Sequence, residues 1–404
     1  MARRTAREIP WADITHDPFL LSGGLDVVTP PLSLKPGYCR ESQNWECSIT
    51  GGYSTLIGYE RYDGRPRPSA AVYAILNVTI TGSFAVGNTI TGVTSGATAV
   101  VIAVVTTVSP NYLAITKIVG TFVSGETLNA AAAPQGTTSS AAVVGSASTA
   151  QLNAQYLNLA ADQYRTDILA VPGSGPVRGV WMFNDVRYAF RNNAGGTACV
   201  LHKSTASGWS VVAFGEEVSF TVGSGSVDDA DILTQGAVTA TVQRVVVQSG
   251  SLGAGTAAGR LIITGRAGGN FGAGAATTTG GGTLTLSGIQ TAITLAPSGR
   301  FEFVNSKIGG SPKRVYGCDG VNRGFEFDGT VFVPIVTGMS PDTPKYVSAH
   351  KNHLFFAFVG SAQHSGTGFP YQWTLLTGAA ELAVGDTITG FMVEPGSAAG
   401  GALG

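Results

Sequence analysis

Apolar and polar positions follow a strand rhythm along nearly the whole chain and a helical one in a single place. Runs rich in Val, Ile, Thr and Ala at 88–90, 97–105, 112–118 and 141–144 are separated by Gly, Pro or Ser, which predicts the short strands of a small sandwich or barrel. At 150–162 Ala, Gln and Leu carry good helix propensity, and one helix is expected there. Four short runs follow at 180–183, 186–190, 199–202 and 209–212, joined by turn signals at Asn184-Asp185, at Asn192 to Gly196 and at Ser207-Gly208. Four antiparallel strands with tight turns over about 45 residues have the form of a propeller blade. The texture returns at 301–304, 314–317, 324–327 and 331–335, with turns at Cys318-Asp319-Gly320 and Asp328-Gly329. A third unit is expected over 345–350, 354–358 and 371–373.

The expected fold is therefore all-β: a propeller-like body of short antiparallel blades carrying two inserted small β-sandwich or barrel modules. An irregular head with the first strands occupies 1–76. The first module is 77–150, a blade segment 151–215, the second module 216–299, and further blade segments 300–404. In the head, Pro30, Pro31 and Pro36 exclude a helix, and the alternation of Tyr53, Thr55 and Ile57 with Ser54 and Leu56 reads as a strand. A last blade left open at the C-terminal end needs another chain over its edge, or a longer product.

The two modules share patterns. Gly-x-Phe-x-x-Gly occurs at Gly82/Phe84/Gly87, Gly120/Phe122/Gly125 and Gly269/Phe271/Gly274. Leu113-Ala-Ile-Thr116 before Gly120 matches Leu261-Ile-Ile-Thr264 before Gly269, offset by one residue. The octapeptide from Ala85 to Gly92 recurs from Ala383 to Gly390 with only Asn88 exchanged for Asp386. Duplication is the reading.

Charge sharpens the picture. Charged residues are 12% of the chain, about half of what an ordinary soluble domain carries, and the net charge is −1. No global basic field exists to hold nucleic acid. Between 69 and 150 only Lys117 and Glu126 are ionised, and between 218 and 299 only Asp228, Asp229, Asp231, Arg244, Arg260 and Arg266. Catalysis needs converging ionisable groups, so an enzyme is not expected, and neither a catalytic, a cofactor nor a metal site is assigned. No apolar run reaches the about 18 residues of a membrane-spanning helix, and the charged N-terminus lacks the apolar stretch of a secretory signal. Cys39, Cys47, Cys199 and Cys318 read as thiols of a protein made in a reducing cytoplasm, although Cys39 and Cys47 could pair across a turn.

Each candidate for chemistry has a plainer reading. His350 and His353 have a metal-ligand spacing with His364 beyond, but one continuous strand would put the first two on opposite faces. His16 reads as an exposed loop residue. Asp228, Asp229 and Asp231 form an acidic cluster with the composition of a calcium loop, or of a solvated one. Gly173-Ser-Gly175, Gly223-Ser-Gly225 and Gly280-Gly281-Gly282 lack the setting of a nucleophile elbow or a phosphate loop. Arg3, Arg4, Arg7, Arg61, Arg65 and Arg67 read as protein contacts and solvation.

The stretch from Gly23 to Gly37, followed by Gln43-Asn44-Trp45-Glu46, Gly51-Gly52-Tyr53 and Gly58 to Gly64, resembles the head of tailed-bacteriophage virion proteins. The stretch from Val347 to Phe356 and Gly378-Ala-Ala-Glu-Leu382 are similar to their later blades. The nearest type is the short-tail nozzle, or tail tubular protein B-like, family, and the likeness covers about half of the chain. It implies propeller-based subunits in a ring, expected as a hexamer, below the portal and adaptor, with tail fibre proteins as neighbours. DNA would pass through without sequence-specific binding. The place of action would be the virion tail, after synthesis in the host cytoplasm. No cofactor is implied. The alternative from composition is a decoration or receptor-binding protein that recognises host-surface glycans, with Trp209 or Tyr371 as exposed platforms. A polysaccharide depolymerase is a third class.

Overall fold

The computed structural model describes residues 23–41, 45–47, 53–55, 60–145 and 147–393, in two compact units, Met1–Arg61 and Tyr62–Gly404. Arg3, Arg4, Arg7, His16, Asn44, the last two residues of the expected strand at Tyr53 (Leu56 and Ile57) and the C-terminal glycines lie outside the described residues.

In the first unit β1 (Gly24–Leu25) pairs in parallel with β2 (Tyr38–Cys39), and β3 (Trp45–Cys47) pairs with β4 (Tyr53–Thr55). The Cys39 thiol donates to the Gly24 carbonyl at 3.7 Å.

The second unit overturns the expected propeller-like body. Its fold is all-β with two closed six-stranded barrels and separate four-stranded sheets, not a blade arrangement. The propeller body implied by the nozzle resemblance falls with it. The physical reason is that tight turns dictate only which strands are neighbours within a sheet. They are silent on how one sheet meets the next, and the second barrel interposes a closed body between the first two meanders.

Barrel A comprises β5 (Tyr73–Ile80), β6 (Thr89–Gly92), β7 (Thr98–Val105), β8 (Tyr112–Val119), β9 (Thr127–Ala130) and β10 (Ala133–Thr138). Its order is β5-β8-β7-β6-β9-β10, and pairing of Gly136 with Ile80 closes β10 on β5. Closure decides between the sandwich and the barrel left open by the sequence. A short β11 (Val143–Val144) adds to the outside of β5. Helix α1 (Ala150–Asp167) follows, capped by Thr149, whose hydroxyl accepts from the Leu152 amide at 3.2 Å. It runs one turn beyond the expected 150–162 because Tyr164 continues the face formed by Leu152, Tyr156 and Ala160.

Next comes a four-stranded meander of β12 (Ser174–Phe183), β13 (Val186–Asn192), β14 (Cys199–Thr205) and β15 (Gly208–Val211). Barrel B is built from β16 (Glu216–Ser224), β17 (Ile232–Gln235), β18 (Val238–Ser249), β19 (Ala257–Ala267), β20 (Gly274–Thr278) and β21 (Thr283–Leu286), with β22 (Thr291–Ala292) added outside β16. Two more meanders complete the unit. One is β23 (Glu302–Ser306), β24 (Arg314–Cys318), β25 (Phe325–Phe327) and β26 (Phe332–Pro334). The other is β27 (Tyr346–His350), β28 (His353–Ala357), β29 (Ser361–His364) and β30 (Ala380–Ala383). The expected strand at 371–373 is a loop: Trp373 stacks on Phe356 with centroids 5.4 Å apart, and β29 and β30 take the strand positions.

The barrels are one architecture used twice. Barrel B closes in the order β16-β19-β18-β17-β20-β21, so every strand has the same place in the cycle as its chain-order counterpart in barrel A. The matched tetrapeptides at Leu113 and Leu261 both lie in the fourth strand, with Leu113, Ile115, Leu261 and Ile263 buried. Phe122 and Phe271 both lie between the fourth and fifth strands, and each is buried in its barrel's core. The flanking Gly120, Gly125, Gly269 and Gly274 have φ of 80°, 80°, 119° and 125°, so two left-handed corners turn the ring inward, which only glycine does without strain. Replacing Phe122 or Phe271 by leucine is expected to cost about 1–2 kcal/mol, read by urea unfolding. The octapeptide repeat, by contrast, is not structural. Its first copy supplies β6 with Ile90 in the core, whereas its second leaves β30 at Ala383 and forms no strand.

Outside the barrels, an aromatic core joins the first two meanders: Phe190 stacks on Phe301 at 3.8 Å, and Phe325 on Phe332 at 4.6 Å. Val246 and Ile262 of barrel B are buried in this same core.

Candidate functional site: the charged seams

In a chain with so few ionised groups, the place where each one is spent defines the chemistry. The two charges of the first module are both structural. Lys117, near the end of β8, pairs with Asp167 at the end of α1 at 2.7 Å and lies over the Tyr164 ring. Glu126, only 3% exposed, accepts from the amides of Thr94, Ser95 and Val123 and from the Ser95 hydroxyl. It thereby joins the β6–β7 turn to the loop that carries Phe122.

Both barrels are attached through their third and fourth strands. In barrel A, Ile102 of β7 and Ala114 of β8 are covered by Tyr156 and Ala160 of α1. Hydroxyl contacts frame that wall, with Tyr112 Oη and Tyr156 Oη 3.0 Å apart and Tyr73 donating to Asn153 Oδ1 at 2.8 Å. In barrel B the same wall is a checkerboard: Arg244 faces Ile262 and Val246 faces Arg260 across β18 and β19. All four are buried.

Arg244 meets Glu326 at 3.0 Å, Asp229 at 3.1 Å, and Asp328. Glu326, in the middle of β25, is fully buried. Its Oε1 also accepts from Arg314 at 2.5 Å and from the Tyr371 hydroxyl at 2.7 Å. Burial opposes the Arg244 charge, but Tyr371, Glu326, Asp229 and Asp328 around it hold its pKa above the ordinary arginine value. Burial pushes the Tyr316 and Tyr371 hydroxyls up, with the Glu326 carboxylate adding to both. Glu326 Oε2 and Tyr316 Oη are buried without a hydrogen-bond partner. Arg260 donates to Glu217 and to the Pro334 carbonyl, closing the seam at the β26 edge. An open cleft of about 440 Å³ beside it is lined by Glu217, Arg323, Asp342, Phe332 and Pro334.

The residues singled out in the sequence fall as follows. The acidic cluster is divided among structural tasks: Asp228 accepts from Ser226, Asp229 from the Val245 amide at 2.9 Å, and Asp231 from the Asp228 amide and Thr279 hydroxyl, both at 2.9 Å. His350 and His353 are not on one strand. A turn at Lys351-Asn352, both with positive φ, makes them direct cross-strand partners. His353 and His364 do come together, with ring centroids 4.7 Å apart. Both hydrogen-bond the Ser365 carbonyl through Nδ1, at 2.6 and 3.0 Å, and Thr367 hydrogen-bonds His353 Nε2. Among the described residues no three His, Cys, Asp or Glu side chains gather as metal ligands. Tyr371 is no platform, since its hydroxyl enters the Glu326 cluster, and Trp209 is half-buried. Cys199 and Cys318 are buried, and burial pushes the Cys199 thiol up to about 12, away from nucleophilic use.

The seam residues were not assigned from the sequence, although a signal existed. Arg244 and Arg260 interrupt otherwise apolar runs, and Glu326 sits between two phenylalanines. A lone charge in a strand pattern marks a place where another element must supply its partner. This arrangement can fix one body against another; its strong groups face each other and not the solvent. No family model, curated protein or solved structure matches this chain.

Proposed function

We propose that this chain is a structural subunit of a tailed-phage virion, acting by assembly with copies of itself and not by catalysis. The observation that carries the reading is the disposition of groups in the second unit. Glu126, Arg244, Arg260 and Glu326 are buried where they tie turns, barrel and sheets together, while large apolar side chains stand on the surface. Val180, Met182 and Val211 are 59%, 54% and 62% exposed on the face of the first meander opposite its aromatic core. Leu375 and Leu376 are 84% and 97% exposed on a short turn. Large permanent contacts between subunits use such surfaces. The head resemblance supplies the setting: a ring, expected as six copies, next to portal, adaptor and fibre proteins, with DNA passing through.

Native mass measurement of the full chain tests the reading. A discrete ring-sized oligomer at micromolar concentration is expected. A stable monomer would overturn it, and reproducible glycan binding by that monomer would move the assignment to a receptor-binding protein.

A further inference from the structure

The two barrels are attached by the same wall in physically opposite ways, and the difference has a mechanical consequence. Barrel A presents aliphatic residues to the tyrosine face of α1, with one ion pair at the rim. Barrel B presents two buried arginines. Arg244 meets Glu326 on β25 and Asp328 in the turn after it, Arg314 of β24 and Tyr371 from the loop before β30 join at Glu326, and Arg260 reaches Glu217 of barrel B and the Pro334 carbonyl of β26. Asp229 joins from barrel B itself. A buried ion cluster of this kind adds little net stability over an apolar contact, but it fails abruptly when one member loses its charge.

Barrel B also has a complete core of its own, including Val218, Leu233, Leu261, Phe271 and Leu284, distinct from the core across the seam. Losing the seam therefore leaves the barrel's closed pairing intact.

We propose that barrel B undocks from the meanders as a folded unit, with the buried Glu326 carboxylate as the latch that holds it closed. The docked state dominates because opening also exposes Val246 and Ile262. Removing the Glu326 charge leaves the buried Arg244 and the half-buried Arg314 around a neutral group and shifts the balance towards the open form. The device is independent of whether the chain assembles into a ring.

Two buried thiols report on it. Cys199 belongs to the core that Val246 and Ile262 of barrel B enter, its amide bonded at 2.9 Å to the carbonyl of Leu295 in the segment leaving barrel B, whereas Cys318 belongs to a different core. Thiol labelling of the full chain at pH 8, with the labelled residue identified by peptide mass, separates undocking from unfolding. In Glu326→Gln, Cys199 labelling is expected to rise about 100-fold or more, the size set by breaking a buried ion pair, with Cys318 still protected. Unchanged Cys199 labelling in the folded variant, or equal acceleration at both thiols, would overturn the latch. Should that variant not fold, the unaltered chain in dilute urea decides. Labelling of Cys199 with a smaller urea dependence than Cys318 supports sub-global opening, and identical dependences refute it.

Discussion

Replacing Glu126 by alanine is expected to destabilise barrel A by about 3–6 kcal/mol, because three backbone amides and one hydroxyl lose their common acceptor inside the fold. The amides of Thr94, Ser95 and Val123 lie 3.2, 3.0 and 2.7 Å from the carboxylate, which is itself only 3% exposed. Gly92 belongs to the same arrangement: a Cβ there would sit 2.4 Å from Glu126 Oε2. The pH dependence has a definite sign. Burial raises the Glu126 pKa, but the hydrogen bonds from Ser95, Val123 and Thr94 outweigh it and the net value is lowered from 4.5. A carboxylate with a depressed folded pKa contributes stability that is fully present above about pH 4.5 and is lost as pH falls through the folded value. Urea unfolding of the wild type and Glu126→Ala at pH 7 and pH 3, followed by hydrogen exchange in β6 to β9, should show a large gap at neutral pH that narrows in acid. A loss below 1 kcal/mol at pH 7 would remove Glu126 as the tie between the two loops.

Gly64→Ala is the second large effect, at about 3–5 kcal/mol, and it acts through the backbone alone. Gly64 has φ of 101°, and an added Cβ would stand 2.2 Å from the Thr205 carbonyl oxygen. Its neighbours form the joint between α1 and the first meander. Asp63 is fully buried and accepts from the amides of Arg65 at 2.9 Å and Leu169 at 3.1 Å, while Arg65 reaches the Asp167 carbonyl at the helix end. Moving Gly64 therefore breaks several contacts at once. Gly236→Ala is the matched control: its φ is 59° with nothing within 4 Å of the added carbon, so it should cost only the left-handed penalty of about 1–2 kcal/mol. Equal losses in the two variants would show that Thr205 yields freely and that the joint is not tight.

The first meander shows why element-level reading worked where arrangement failed. Runs at 180–183, 186–190, 199–202 and 209–212 all became strands, β12 to β15, because Asn184-Asp185 and Ser207-Gly208 impose tight turns whatever lies around them. The same local turns occur in blades and in separate sheets, so the propeller reading had no physical support in them. Within barrel A, Tyr73–Ile80, Thr127–Ala130 and Ala133–Thr138 were not anticipated as strands. The last two alternate small residues and hydroxyls with little apolar contrast, and only closure onto β5 gives them an inside. The octapeptide teaches the same lesson, since two copies differing only at Asn88 and Asp386 gave a core strand in one place and none in the other.

What the chain alone determined is its class: β-branched and small residues broken by glycine pack as short strands. It also held the mark of repetition, because Gly-x-Phe-x-x-Gly states both the turns and the buried ring between them. Tertiary structure alone decided barrel against sandwich, and it decided which partner each lone charge meets. Closure and ion pairing join residues dozens of positions apart, such as Gly136 with Ile80 and Arg244 with Glu326, and no local pattern records a contact that exists only once the intervening chain has folded.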